Sequence, residues 1–285
     1  MLANSGKVDL HMHTIHSDGT LTPTELVTRA KSRELSCIAL TDHDTVSGVR
    51  EAQSAGKKHG VEVIAGVEVS VIFEPGTMHV LGYFIDIENK KLLKGLESIQ
   101  EARRQRNPKI IECLNQLGMD ITLEEVEKAS GGDQVGRPHF AKVMVAKGYV
   151  KSPEEAFKKY LGKGCPAYID KRKVTSKEAI QMIREAGGVA SLAHPKQLKV
   201  PQGEVFEVEI KKLADEGLSG VEVYSSCQSP AEAAYYKKIA NRFGLTVTGG
   251  SDFHGGNKPD VELGLMGEGA VLYYDTIEEL RSKAG

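Results

Sequence analysis

The chain has 285 residues, of which 40% are hydrophobic, and a formal net charge of -2 at pH 7. That length and apolar content can bury the core of one large domain, or of one domain with an insertion. The low charge excludes a whole-chain attraction to nucleic acid. No apolar run approaches the roughly 18 residues of a membrane helix, and residues 1–7 lack the features of a signal peptide. We therefore expect a cytoplasmic protein with no membrane contact and no obligate protein partner.

The four cysteines are widely separated and form no CxxC pair; they are Cys37, Cys113, Cys165 and Cys227. Neither a disulfide framework nor a thiolate zinc site is indicated. Any metal ion must therefore be held by histidine, aspartate and glutamate.

Seven short apolar runs predict buried strands, because they are brief, rich in β-branched residues and bounded by glycine or polar clusters. In chain order they are residues 7–10, 37–40, 62–69, 78–84, 188–192, 220–223 and 245–248. Helices are predicted at 24–33, 47–59, 90–117, 176–186, 207–216 and 229–243. Alternation of strand and helix predicts a mainly parallel sheet, closed or open. Residues 261–285 suggest one more strand and a closing helix.

A stretch of about a hundred residues without strand character separates the fourth and fifth predicted strands, although connections in compact domains are usually short. We therefore predict an inserted helical subdomain at residues 96–174. It would divide one barrel into a first part, residues 1–95, and a second part, residues 175–285.

Histidines and carboxylates gather just past the carboxyl ends of the predicted strands. The residues in this position are His11, His13, Asp42, His43, Asp44, Glu68, His194, Asp252 and His254. His79 differs, because it lies at the start of the fourth strand. In an α/β barrel the carboxyl ends of the strands converge on one face, so these residues would meet over one cavity.

The donor types suit a metal site. In the HxH pattern of His11 and His13, both imidazoles project from the same face of a strand, about 6.5 Å apart at the backbone. Imidazole nitrogens mixed with carboxylate oxygens favour divalent Zn, Mn or Fe, and a carboxylate such as Glu68 can bridge two ions.

Five motifs in order resemble the polymerase and histidinol phosphatase (PHP) family of metal-dependent phosphoesterases. They are DLHMHTIHSDG, LTDHDT, GVEVS, AHP and GGSDFH. The long insertion with GRPHFA resembles the bacterial branch that cleaves nucleoside 3',5'-bisphosphates and trims short RNA from the 5' end. The resemblance implies an α/β fold, a distorted seven-stranded (β/α)7 TIM-like barrel with an inserted helical subdomain.

The resemblance also implies two or three divalent ions, Mn, Zn or Fe. The implied ligands are His11, His13, Glu68 and Asp252 for the first ion, Glu68, His79 and His194 for the second, and Asp18, His43 and His254 for the third. Hydrolysis would use a metal-activated hydroxide, with Glu68 and Asp252 essential. Asp44 and His254 lie where a proton could pass to the leaving oxygen, and the sequence does not rank them against a metal-bound water.

The insertion carries a local positive charge, with ten lysine or arginine residues against three acidic residues between positions 137 and 173. Arg137 suits bidentate phosphate contact, His139 could assist, and Arg172 is a second candidate for a distal phosphate. Most of the lysines are better explained as solvated helix faces. The same explanation is preferred for RRQRNP at 103–108, and the absence of tryptophan argues against an extended base-stacking platform.

The leading hypothesis is hydrolysis of the 3'-phosphate of a nucleoside 3',5'-bisphosphate. A 5'-3' exoribonuclease on short RNA, or a phosphatase acting on AMP or another small phosphoester, uses the same chemistry. A basic channel leading away from the metals would favour the exonuclease, and a pocket closed behind Arg137 would count against it. A non-catalytic PHP binding module and a metallo-amidohydrolase fit the motifs less well.

Overall fold

The computed structural model describes residues 6–131, 134–170 and 174–284. One sheet contains eight strands in the order β7-β6-β5-β4-β3-β2-β1-β8. The strands are β1 (Lys7–Asp9), β2 (Leu35–Leu40), β3 (Glu62–Val71), β4 (Met78–Tyr83), β5 (Val189–Leu192), β6 (Gly220–Ser225), β7 (Thr246–Gly250) and β8 (Leu272–Tyr273). The seven predicted strands are confirmed, and the short eighth strand is the one suggested near the end of the chain.

Ten α-helices lie between and after the strands in the described part of the chain. They are α1 (Pro23–Ser32), α2 (Val49–His59), α3 (Lys90–Gln116), α4 (Leu123–Ser130), α5 (Arg137–Ala146), α6 (Pro153–Ala156), α7 (Ser176–Glu185), α8 (Glu204–Asp215), α9 (Pro230–Arg242) and α10 (Asp275–Ser282). The start of α1 shows why the sequence folds this way. Thr22 accepts a hydrogen bond from the Glu25 amide, the Glu25 carboxylate accepts one from Thr22, and Pro23 begins the helix.

The sheet is parallel at β1-β2-β3 and at β5-β6-β7. The exception is β4, which is antiparallel to both β3 and β5. Because β4 runs backwards, its first residues lie beside the carboxyl ends of its neighbours, and His79 pairs with Ser70 near the end of β3. This reversal explains why a predicted ligand at the start of β4 lies beside predicted ligands at the ends of the other strands.

The barrel closes between the chain segments that follow β1 and β7. The Leu10 amide donates to Gly249 O at 3.2 Å, the Asp252 amide to His11 O at 2.9 Å, and the His13 amide to Phe253 O at 2.9 Å. The two-residue β8 adds antiparallel to β1. The predicted TIM-like α/β barrel is therefore confirmed, with one more strand in the sheet than the seven expected.

The end of α3 and the helices α4, α5 and α6 share an apolar core separate from the barrel core. Its fully buried members include Ile110, Leu114, Phe140, Met144 and Leu161. The boundaries of the insertion at residues 96 and 174 stay a prediction. Among the described residues, no helix is both long and apolar enough to cross a membrane.

Candidate metal centre

Nine side chains converge at the face where the barrel strands end. In the described part of the chain, four groups of donors have ligand atoms within 4.8 Å of one another. The groups are His13, Asp18, His43 and His254; His11, His13 and Asp252; His11, Glu68 and His194; and His43, Glu68 and His79. Every member is one of the nine predicted ligands.

Glu68 lies at the centre of this cluster and is fully buried. Its Oε2 atom lies 3.2 Å from Nε2 of His11 and 3.2 Å from Nε2 of His13. The same oxygen lies 3.0 Å from Nδ1 of His43. One carboxylate oxygen therefore faces three imidazoles that come from two different strand ends.

The other oxygen of Glu68 faces two further imidazoles. Oε1 lies 2.8 Å from His79 Nδ1 and 2.9 Å from His194 Nε2, and these two nitrogens are 3.3 Å apart. Glu68 is thus the shared member of two donor groups, as a bridging carboxylate must be.

The spacing of the donors fits a divalent cation. Asp252 Oδ1 lies 3.6 Å from His11 Nε2 and 3.4 Å from His13 Nε2. Ligand atoms about 2.1 Å from one tetrahedral ion are roughly 3.4 Å apart. These residues therefore stand where the corners of a coordination polyhedron would be.

Unsatisfied polar atoms point to the same conclusion. Buried atoms without a hydrogen-bond partner in the described part of the chain include His11 Nε2, His13 Nε2, Asp18 Oδ1, His43 Nδ1 and Glu68 Oε2. Buried polar atoms nearly always have a partner, because leaving one unpaired costs about 1–3 kcal/mol. Five such atoms in one cluster are explained by cations that they would ligate.

The cluster keeps its carboxylates ionised. Burial raises the pKa of Glu68, but the neighbouring imidazoles of His43 and His11 outweigh burial and hold this pKa well below its usual range. At Asp252 burial is likewise outweighed, by Lys258 and His11, so its pKa is well below the usual range. Metal ligands must be deprotonated, and these carboxyl groups meet that requirement.

The third predicted group forms around Asp18, in the loop after β1. Asp18 Oδ1 lies 3.2 Å from His254 Nε2 and 3.7 Å from His13 Nδ1, and Oδ2 lies 3.8 Å from His43 Nε2. Because two of these distances are longer than those of the other donors, this is the most widely spaced of the three predicted ligand sets.

Asp42 anchors the loop that carries Asp18. Its Oδ1 accepts the Thr14 amide at 2.7 Å and the Ser17 hydroxyl at 2.6 Å, and its Oδ2 accepts the Thr14 hydroxyl at 2.6 Å. These contacts turn the Asp42 carboxylate toward the loop after β1.

Glu222 was missed by sequence reasoning. It is fully buried on β6, with Oε1 2.8 Å from His11 Nδ1 and Oε2 accepting the His194 amide at 2.6 Å. The signal that could have found it is a single charge inside the apolar strand GVEVY, because a buried charge requires a partner.

Asp44 contacts the insertion, in addition to its position beside His43. Its Oδ1 accepts the Ser70 amide at 2.7 Å, and its Oδ2 accepts the Ser70 hydroxyl at 2.9 Å and Arg103 Nε at 3.2 Å. Arg103 lies on α3, so this ion pair joins the insertion to the loop that bears His43.

A cavity of about 340 Å³ lies between the metal cluster and the insertion. Its wall includes Glu68, His254 and the cationic side chains Arg103, Arg106, Arg137 and Lys258. The preferred explanation of RRQRNP as an exposed face is therefore wrong for two of its arginines. Arg106 is only 4% exposed, since α3 turns this side chain toward the cavity.

The arginines are close enough to affect one another. Burial and then the positive charges of Arg103 and Arg137 lower the pKa of Arg106 to about 9. Arg137 donates to Leu161 O at 3.0 Å, and its guanidinium lies 5.1 Å from the centre of the Tyr168 ring. In the described residues, neither Arg106 nor Arg137 has an ion pair, so the cavity holds uncompensated positive charge.

The other two predicted substrate residues have different positions. His139 is buried, its Nδ1 accepts the Gly136 amide at 3.0 Å, and it does not line the cavity. This contact caps the start of α5. Arg172 lies outside the described residues.

A groove of about 560 Å³ continues from the cavity past Arg137. Thr77, Arg137 and Phe157 line both spaces. The groove wall also contains the aromatic residues Phe73 and Tyr168 and the cations Lys158, Lys163 and Lys199. Folding thus brings together three aromatic residues that are distant in sequence, although the chain has no tryptophan.

Comparisons with known proteins agree with this geometry. The PHP domain family matches residues 9–216. A 3',5'-nucleoside bisphosphate phosphatase from Chromobacterium violaceum is 36% identical over 87% of this chain and 87% of its own length. A 5'-3' exoribonuclease from Haemophilus influenzae is 35% identical over 87% of this chain and 90% of its own length.

A solved structure points the same way. It comes from Bifidobacterium adolescentis, is provisionally described as a metal-dependent phosphoesterase, and superposes with a TM-score of 0.88 at 31% identity. The match covers 98% of this chain and 96% of that one. The chain therefore belongs to the PHP family and is a metal-dependent phosphoesterase.

Proposed function

We propose that this phosphoesterase removes the 3'-phosphate of nucleoside 3',5'-bisphosphates. The observation that carries the proposal is one cavity with the metal cluster on one wall and unpaired arginines on another. A substrate with two phosphates can place one of them at each wall. A substrate with a single phosphate cannot use both.

The metal assignment follows the donor groups. One ion would be held by His11, His13, Glu68 and Asp252, a second by Glu68, His79 and His194, and a third by Asp18, His43 and His254. Divalent Mn, Zn or Fe suits this mixture of nitrogen and oxygen donors. Bound ions of this kind polarise a phosphoryl oxygen and lower the pKa of a coordinated water.

The protein side chains would position the substrate. Arg137 and Arg106 would hold the distal phosphate through planar guanidinium groups that match phosphate geometry. His254 lines the cavity as a ligand of the third ion, and its Nδ1 lies 2.7 Å from Asp252 O, so neither ring nitrogen is left for proton transfer to the leaving oxygen. Asp44 faces Ser70 and Arg103 instead, and does not line the cavity.

Phosphate release from adenosine 3',5'-bisphosphate and from AMP by the Mn-loaded protein tests the proposal. We expect faster turnover of the bisphosphate, and a KM for it roughly 10- to 100-fold higher in Arg137→Ala, since a charge-assisted bidentate contact contributes about 1.5–3 kcal/mol. Arg104→Ala is the matched control, because Arg104 is an exposed arginine of α3 that pairs with Glu101. Equal turnover of both substrates, or an unchanged KM in Arg137→Ala, would overturn the two-phosphate reading.

The groove beyond Arg137 favours a second candidate, a 5'-3' exoribonuclease on short RNA. The cavity is not closed behind Arg137, and the groove combines aromatic rings with cations. This is the combination that binds single strands by base stacking and phosphate contact. A nucleotide 3'-phosphate is also the next link of an RNA chain, so both candidates use the same metal centre.

A further inference from the structure

We propose that Lys258 binds an oxygen of the phosphoryl group undergoing hydrolysis. This inference rests on the proposed function, because it requires a phosphate ester in the cavity. It gives a role to a cation that lies on the barrel, beside the metal cluster, whereas the arginines come from the insertion.

The position of Lys258 is set by the metal ligand Asp252. Lys258 Nζ lies 2.5 Å from Asp252 Oδ2. The other oxygen of Asp252, Oδ1, faces the Nε2 atoms of His11 and His13. The two carboxylate oxygens are thus divided between the ammonium group and the metal cluster, which keeps Lys258 next to the first donor group.

The Lys258 ammonium group has more N–H donors than its contacts in the described residues use. It can donate three hydrogen bonds. In the described part of the chain, its contacts are Asp252 Oδ2 and, at 3.5 Å, Asp252 O. Lys258 is half-buried, and its side chain lines the same cavity as Glu68 and His254. The remaining hydrogens can therefore reach a ligand in that cavity.

The chemistry of phosphoryl transfer gives these donors a target. Negative charge in the transition state is spread over the oxygens of the transferred phosphoryl group, and a preorganised cation in a shielded site stabilises it. Lysine is a compact point charge, so it can contact one oxygen from the side without the room that a guanidinium needs. A lysine that only oriented Asp252 would affect metal binding, and phosphate binding would recover once the metal content was restored.

The test is the affinity of the Mn-loaded protein for inorganic phosphate, measured by calorimetry in wild type, Lys258→Met and Lys258→Arg. We expect Lys258→Met to keep its Mn content, to bind phosphate at least about tenfold more weakly, and to lose roughly 100-fold in kcat. Lys258→Arg should recover part of the phosphate affinity. The control is Lys211→Met, which removes an exposed lysine paired with Asp215 on α8.

Two results would overturn the proposal. The first is wild-type phosphate affinity in Lys258→Met, and the second is a loss that disappears when excess Mn restores the metal content. Thermal melts of both variants identify a folding defect, and Lys258→Arg keeps the charge if the methionine variant is unstable. Phosphate titration needs no turnover. If the wild-type protein bound phosphate but hydrolysed no bisphosphate, the proposed function would be wrong, and the role of Lys258 in phosphate binding would still be tested.

Discussion

Glu222 Oε1 lies 2.8 Å from His11 Nδ1, although the two residues are 211 positions apart. A carboxylate at Nδ1 holds the ring in one orientation and leaves Nε2 free to ligate a metal. The second oxygen of Glu222 accepts the His194 amide at 2.6 Å. His194 has φ of 26°, an unfavourable backbone conformation for a residue with a side chain. One buried carboxylate therefore positions two histidines, which share a donor group with Glu68.

Glu222→Gln should weaken metal binding more than it weakens the fold. The amide group replaces one oxygen by an NH2 donor, so it cannot accept from both the His11 ring and the His194 amide. We expect a loss of about 10- to 100-fold in Mn affinity, the usual effect of removing a partner of a ligating histidine. Competition with a chelator measures this affinity. Glu209→Gln, at a surface glutamate of α8 paired with Lys212, should leave it unchanged.

Glu68→Gln should abolish turnover and leave the barrel folded. The amide keeps the size of the side chain but removes the charge that faces five imidazoles, so two donor groups lose their shared anion. Removing a residue that acts only with the rest of its site typically costs more than about 1,000-fold in kcat. Phosphate release and metal content give the measurement, with circular dichroism to establish folding. Activity near the wild-type level in a folded, metal-loaded variant would show that Glu68 does not bridge.

The barrel and the gathering of histidines and carboxylates at one face could be predicted because both depend on local pattern. Buried strands have short apolar runs. A histidine or carboxylate directly after such a run is buried only rarely unless it contacts a partner. His79 shows where this reasoning stops. A strand has the same apolar pattern in either direction, so the reversal of β4 that brings His79 to the site is visible only when its neighbours are known.

The cavity wall could not be predicted because it depends on how the insertion packs. Arg104 and Arg106 are the same type of residue, two positions apart on α3, and the sequence alone does not distinguish them. Arg106 is nevertheless buried at the cavity, whereas Arg104 is exposed. This difference in exposure depends on which side of α3 packs against the barrel. Phe73, Phe157 and Tyr168 form one groove for the same reason, since β3 is followed by a loop that meets the insertion.

A double-mutant cycle can distinguish two roles of Asp44, which are an ion pair with Arg103 and proton transfer to the leaving oxygen. If Asp44 acts by holding Arg103 and the insertion, Asp44→Asn and Arg103→Met should lower kcat/KM by similar factors, and the double variant should be little worse than either. Each single variant should also lose about 3–5 kcal/mol of unfolding free energy, because the remaining buried partner is left without its counter-charge. Steady-state kinetics and denaturant unfolding give both quantities.

A proton donor at Asp44 would give a different pattern. Asp44→Asn would then lose far more activity than Arg103→Met, and the two effects would multiply in the double variant. Ser70→Ala is a useful third variant. It removes the hydroxyl that donates to Asp44 at 2.9 Å and leaves the ion pair in place.

Arg106→Met should weaken substrate binding while leaving the free protein at least as stable. A buried guanidinium beside two other arginines is unfavourable, and its charge is retained at neutral pH because its pKa of about 9 lies above that range. Methionine keeps much of the apolar stem and removes the repulsion. We expect an unchanged or higher Tm, with a KM for adenosine 3',5'-bisphosphate about tenfold higher. A lower Tm with an unchanged KM would mean that Arg106 is a structural residue.

Phe73→Ala should impair cleavage of RNA without affecting the bisphosphate. Phe73 lines the groove and not the metal cavity, so a substrate of one nucleotide does not reach it. Stacking of one base on an aromatic ring contributes about 1–3 kcal/mol. We therefore expect the KM of a 5'-phosphorylated RNA pentamer to rise about 5- to 100-fold in this variant, with bisphosphate turnover unchanged. Tyr273→Ala, at an exposed aromatic residue of β8, is the control. If both substrates slowed equally, the groove would have no separate role, and the oligonucleotide reading would lose its support.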